Sequence, residues 1–155
     1  MTAPTSQAPA LTIKNPGFKP AVNRKLFVNV PVENVQRSID FFEALGFTFN
    51  AQFTDASATA MLVGEDAYFM LLNREKFASF TTATVGDPRR DTQAYCALSA
   101  SSREEVDALV NRAVALGGKH AMPAQDHGFM YGWSFYDLDG HHWEVFWMDP
   151  SAIGG

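Results

Sequence analysis

His142 and Glu144 stand two apart in His141-His142-Trp143-Glu144-Val145-Phe146-Trp147, a run that is otherwise aromatic and aliphatic. Such a run reads as a strand. Alternation puts His142, Glu144 and Phe146 on one face and Trp143, Val145 and Trp147 on the other. A carboxylate on an apolar face needs a cation, a donor or a proton, because an unpaired buried charge is costly. Glu144 is therefore a candidate anchor for a ligand; the plainer alternative is an exposed Glu on a solvated strand face. His142 and Glu144 could also share a divalent ion, with His127 joining from a loop as a rearranged metal site. Asp126 beside His127 could orient that imidazole or raise its pKa, which makes His127 a candidate acid, base or hydrogen-bond donor. From Asp126 to Trp133 the chain is rich in aromatic residues, Met and Gly. Trp133 is thus a candidate cavity wall, with an aromatic strand packing the core as the equal alternative. His141 beside a turn and His120 at a strand start read as solvated surface residues.

Other chemistries find no support. No nucleophile elbow, phosphate-binding glycine loop or zinc-protease motif occurs, and Gly117-Gly118 reads as a helix stop. The single cysteine, Cys96, excludes an intrachain disulfide and a cysteine-rich zinc site, and its apolar surroundings make it a core residue. A net charge of −5 with no Lys/Arg run gives no reason to expect nucleic acid or an anionic membrane as partner. No stretch approaches the ~20 apolar residues of a membrane span, and the first residues lack the pattern of a signal peptide. The expected compartment is the cytoplasm.

The elements that must position these residues follow from periodicity. Residues 1–22 read as a Pro-rich tail with too few large apolar groups to repay ordering. Leu26 to Val30 reads as a strand. Asn34 caps a helix whose apolar face carries Val35, Ile39, Phe42 and Leu45, and Gly46 ends it. Strands are expected at Phe47 to Phe53, Ala58 to Val63 and Ala67 to Leu72. After a linker over 74–91 the order returns: a strand from Gln93 to Ser99, then a helix opened by the capping box Ser102-Arg103-Glu104-Glu105 and closed at Gly117. Strands at Lys119 to Met122, Phe129 to Tyr136 and His142 to Met148 follow. Ala44-Leu45-Gly46 and Ala115-Leu116-Gly117 end the two helices alike. The pattern predicts an α+β fold of two repeated βαβββ modules, about 25–73 and 92–148, within one domain over 23–150 and followed by a short tail, 151–155. Their apolar faces would curl toward each other into a partly closed, curved mixed sheet with a ligand cavity between them.

Two segments carry a family resemblance. Val32-Glu33-Asn34-Val35-Gln36-Arg37-Ser38 with Phe41-Phe42-Glu43-Ala44-Leu45-Gly46-Phe47, and Asp137-Leu138-Asp139-Gly140-His141-His142-Trp143-Glu144, resemble the opening and closing motifs of vicinal-oxygen-chelate proteins of the glyoxalase and bleomycin-resistance type. Leu138 stands where that family commonly has proline. The resemblance implies four inward-pointing strand positions for metal ligands, which fall on Phe27, Met70, Tyr95 and Glu144. Phe cannot ligate, Met is a soft donor, and Tyr must lose its proton first, so the usual metal set is missing. A register slip, which would bring in Asn29, Tyr68 or Leu72, does not repair it. The expected function is binding of a small organic molecule between the modules without metal or other cofactor. Phe27, Asn29, Met70, Tyr95, Trp133 and Glu144 would contact it. The alternative is a glyoxalase-like lyase, isomerase or dioxygenase using a rearranged divalent metal site at His142 and Glu144, or acid–base chemistry by Glu144 and His127. A homodimer is expected as well.

Overall fold

Asn34 accepts the backbone N–H of Arg37 and so starts helix α1 (Val35–Ala44) immediately after strand β1 (Leu26–Val32). The computed structural model describes residues 10–152. Strands β2 (Thr48–Asn50), β3 (Ala58–Gly64) and β4 (Ala67–Asn73) complete the first module in the order β1-β4-β3-β2, with β1 parallel to β4. The second module repeats this arrangement. Strand β5 (Cys96–Ser99) precedes helix α3 (Arg103–Ala115), and β6 (Lys119–His120), β7 (Gln125–Asp126), β8 (Met130–Tyr136) and β9 (His142–Met148) follow. Its order is β5-β9-β8-β6, with β5 parallel to β9 and β7 also paired to β8. The predicted duplication is present, and both helices stop at glycines with positive φ, Gly46 (+102°) and Gly117 (+109°).

Three expected strands are shorter than their sequence patterns. Asn50 accepts from Gln52 N and turns Ala51–Phe53 into a 3-10 helix, so β2 ends early. The strand expected over 119–122 stops at His120, just before Pro123, and pairing resumes as β7. Across that gap the buried Ser134 hydroxyl accepts the Met122 N–H at 2.9 Å, replacing a ladder bond. Tyr95 lies outside β5. The predicted capping box is also altered. Ser102 accepts from Glu105 N as expected, but the Glu105 carboxylate takes the N–H and hydroxyl of Ser101.

The core lies on the helix-covered faces, and both modules share it. Val35, Phe41 and Phe42 of α1 and Val106, Val110 and Ala113 of α3 are buried with Met61, Phe69, Leu71, Phe135, Trp143 and Val145. Trp143 is the bridge between modules: its ring meets Phe42 at 5.3 Å and Phe69 at 4.7 Å. The opposite sheet faces, expected to close on each other, remain open in the single chain, with Phe27 50% and Tyr95 58% exposed. The segment expected to be a plain linker holds helix α2 (Arg74–Ala78), capped by Asn73 and packed against β1 and β4. Residues 10–22 contain neither helix nor strand; the rest of the expected N-terminal tail and residues 153–155 lie outside the described residues. Among the described residues no helix is long and apolar enough to cross a membrane.

Candidate functional site

Strand β9 positions the chemistry that the sequence points to. Trp143 and Val145 are buried on its helix side, while His142, Glu144 and Phe146 are half-buried on the open side. Glu144 pairs with Ser134 of β8 and Ala97 of β5. Its carboxylate lies over Gly132, where a Cβ would come within 3.4 Å of Oε1. Among the described residues it has no protein hydrogen-bond donor. The His142 ring is stacked on Tyr95 at 5.1 Å and meets Tyr136 edge-on at 5.5 Å, and its buried Nε2 has no partner. The open face of the second sheet thus carries a carboxylate and an imidazole nitrogen with hydrogen-bonding capacity unused by the protein, flanked by two phenol rings.

The corresponding face of the first sheet holds Phe27, Asn29 and Met70. Phe27 is stacked on Tyr68 at 4.8 Å, and Asn29 stands beside Met70 in the parallel pair. Asn29 reaches a hollow of about 500 Å³ shared with Leu72, Phe77 and Phe80 at α2. A cleft of about 280 Å³ runs between β1 and the start of β9. Asn29 and His142 line it, but Phe27, Met70, Tyr95, Trp133 and Glu144 do not. Much of its wall comes from residues 85–94, including Val85, Pro88, Thr92 and Gln93, which the sequence offered no reason to single out as site residues. For α2 a signal existed: Asn73 before Arg-Glu-Lys-Phe has the form of a capped helix start.

Two expected site residues are placed elsewhere. Trp133 pairs with Val145 and therefore faces the helix side, stacked on His120 at 5.1 Å. Strand alternation separates it from Glu144, and it belongs with the partly buried residues around the core. His120 is exposed, as expected, and its ring stacks on Trp133. His127 lies beyond the end of the hairpin where Met130 pairs with Met148, whereas Glu144 pairs with Ser134 four residues along β8. Asp126 is held by Arg103 at 2.7 Å and accepts the Gly128 N–H; the Arg103 bond keeps its carboxyl below the usual range. No Glu144–His127 pair forms.

The donor set decides whether a divalent ion fits. Of the four positions implied by the resemblance, only Glu144 supplies a hard ligand without prior deprotonation. Among the described residues no three His, Cys, Asp or Glu side chains are placed to hold one ion, so His142, Glu144 and His127 do not form the rearranged site. The four positions implied by the resemblance do not supply the donor set of an all-protein zinc or nickel centre.

The closing motif that carries the resemblance has a structural explanation that the sequence did not reveal. Asp137 is buried and accepts from Asp139 N, His141 N and Trp143 Nε1 at 2.9–3.0 Å. Burial pushes its carboxyl up, against the pull of His141 and the Trp143 bond. Asp139, 3% exposed, reaches into the first module and accepts from Glu33 N (2.8 Å), Arg37 (3.2 Å) and Ser38 Oγ (3.5 Å). His141, expected to be solvated, instead donates from Nε2 to Pro31 O at 2.6 Å. The D-x-D-G-H segment is a clasp between modules, and it fixes where β9 begins.

The family model described as Glyoxalase/Bleomycin resistance protein/Dioxygenase superfamily matches residues 26–145. No curated protein matches the chain at a significant level. Among solved structures, a hypothetical protein from S. aureus is 24% identical, with a TM-score of 0.70 over 81% of this chain and 95% of that one. A glyoxalase-related enzyme from Fulvimarina pelagi is 19% identical, with a TM-score of 0.69 over 81% and 88%. A fosfomycin resistance protein from Listeria monocytogenes is 17% identical, with a TM-score of 0.60 over 84% and 97%. At these identities the likeness is one of fold.

Proposed function

Because the chain belongs to the glyoxalase, bleomycin resistance protein and dioxygenase superfamily, we propose that it binds a small organic molecule on the open faces of its sheets without the divalent metal used by enzymes of that fold. The observation that carries this reading is Glu144: a half-buried carboxylate on an open, aromatic-flanked face, with no donor among the described residues. A ligand bearing a cationic or hydroxyl group supplies what it lacks, and the phenol rings of Tyr95 and Tyr136 offer flat contact surface. Phe27, Asn29 and Met70 present the facing wall. Gly132, without a side chain, lets the carboxylate lie close over β8.

The proposed assembly is a homodimer. Phe27, Phe80 and Tyr95 are half or more exposed, and a second copy laid over the open faces would shield them and deepen the site. Light scattering then gives twice the chain mass of 17.1 kDa; a monomer at micromolar concentration contradicts this part. Ligand binding is tested by a thermal-shift panel of aromatic amines, catechols and hydroxylated ring compounds in the presence of a chelator. The expected result is a stabilising compound whose affinity falls roughly five- to tenfold in Glu144→Gln, which keeps an acceptor and loses only the charge assistance, about 1–1.5 kcal/mol. A compound bound equally by the variant, or bound only after a divalent metal is added, refutes the reading.

A further inference from the structure

Outside the open sheet faces, cationic side chains gather around residues 88–92 and Lys119. A cavity of about 520 Å³ lies between residues 88–92, the end of α3 at Gly117 and the β8–β9 turn. Three cations line it: Arg89, Arg90 and Lys119. None takes part in an ion pair among the described residues, where the pairs are Lys25–Asp66, Arg37–Asp139 and Arg103–Asp126. In a chain of net charge −5, such a local excess of positive charge around one concavity is unusual and attracts anions. The one acidic residue in the lining, Asp137, has both oxygens engaged by Asp139 N, His141 N and Trp143 Nε1.

One of the cations is held in place. The Arg89 guanidinium donates to Leu138 O at 2.9 Å, and its backbone N–H donates to Asp87 Oδ1 at 3.0 Å. Its stem lies against Gly140, at φ +94°, where a Cβ would come within 2.8 Å of Arg89 Cγ and 3.1 Å of its backbone nitrogen. A side chain there would displace Arg89, so glycine serves both the turn and the seating of the guanidinium. A guanidinium fixed through one of its five N–H donors keeps the others for a ligand. The last carbonyls of α3, Arg112 O, Ala113 O and Val114 O, already accept from Leu116, Gly118 and Gly117 N–H.

We infer that this cavity is a second binding site, for a small molecule bearing a phosphate or several carboxylates, with Arg89 as the fixed oxyanion fork and Arg90 and Lys119 as mobile counter-charges. It does not depend on what binds the open sheet faces. Both cavities use Pro88, Thr92 and Gly140 as wall, so an anion held here grips the segment that lines the intermodule cleft.

Titration calorimetry with inorganic pyrophosphate and with citrate at low ionic strength tests this on the full chain, with amide shift mapping to locate the contact. The expected result is saturable binding of one anion per chain, with shifts at residues 88–92, 117–119 and 138–140. Affinity falls tenfold or more in Arg90→Gln/Lys119→Gln. It holds within twofold in Lys14→Gln/Lys19→Gln, which removes the same charge from exposed residues outside the domain. All four side chains are exposed, so neither variant threatens the fold. Absence of saturable binding, or an equal loss in both double variants, overturns the inference; the second result would show only a response to net charge.

Discussion

Replacing Asp139 with Ala removes the strongest link of the clasp between modules. Asp139 is 3% exposed and accepts the Glu33 N–H at 2.8 Å, a charge-assisted bond worth about 1.5–3 kcal/mol. Its ion pair with Arg37 is worth less, about 0.5 kcal/mol, because the Arg37 side chain is 43% exposed and water screens the pair. The 3.5 Å contact with Ser38 adds little. The expected loss is therefore about 2–3.5 kcal/mol for Asp139→Ala. Asp139→Asn keeps an acceptor for Glu33 N–H and loses only the charge assistance, so it costs about 1–1.5 kcal/mol. Urea denaturation followed by circular dichroism reads both, with the midpoint moving and the slope unchanged. A double-mutant cycle with Arg37→Ala isolates the ion pair. An Asp139→Ala variant that loses less than about 1 kcal/mol, or that equals Asp139→Asn, refutes the view that this carboxylate joins the modules.

Two further perturbations test other parts of the structure. The Tyr131 hydroxyl donates to Asp107, and that bond pushes its pKa up to about 12. A raised pKa means that the protonated phenol is favoured in the fold. Its contribution is therefore complete below the ordinary tyrosine value and is lost as pH rises from about 10 to about 12. The stability advantage of the wild type over Tyr131→Phe, measured by urea titration, should shrink across that window; a constant difference contradicts the bond. Gly140→Ala should cost about 1–3 kcal/mol in thermal or urea unfolding, from a strained positive φ and the 2.8 Å approach to Arg89 Cγ. A neutral effect would mean that the turn and Arg89 shift freely.

The duplicated architecture was legible because it is written in period and punctuation. Ile39, Phe42 and Leu45 repeat at helical spacing, and the stop at Gly46 recurs at Gly117. Strand β9, with continuous alternation, matches its predicted bounds of His142 to Met148. Strand ends were less legible where side chains intervene, as at Asn50 and at the gap bridged by Ser134. Site placement divided along the same line. Alternation placed Glu144 and His142 on the open face. The same rule applied across the hairpin puts Trp133 on the other face, since it pairs with Val145; local composition alone had suggested a cavity wall. The roles of Asp139 and His141 depend on contacts with Glu33, Arg37 and Pro31, more than a hundred residues away. No local pattern encodes such contacts.

Metal content is the most direct test of the central claim. Elemental analysis of the wild type and Glu144→Gln, purified without chelator, should find well under one zinc, nickel or manganese per chain in both, because only one of the four inherited positions carries a hard donor. About one such ion per chain in the wild type, lost in Glu144→Gln, would contradict the account and make β9 part of a metal centre.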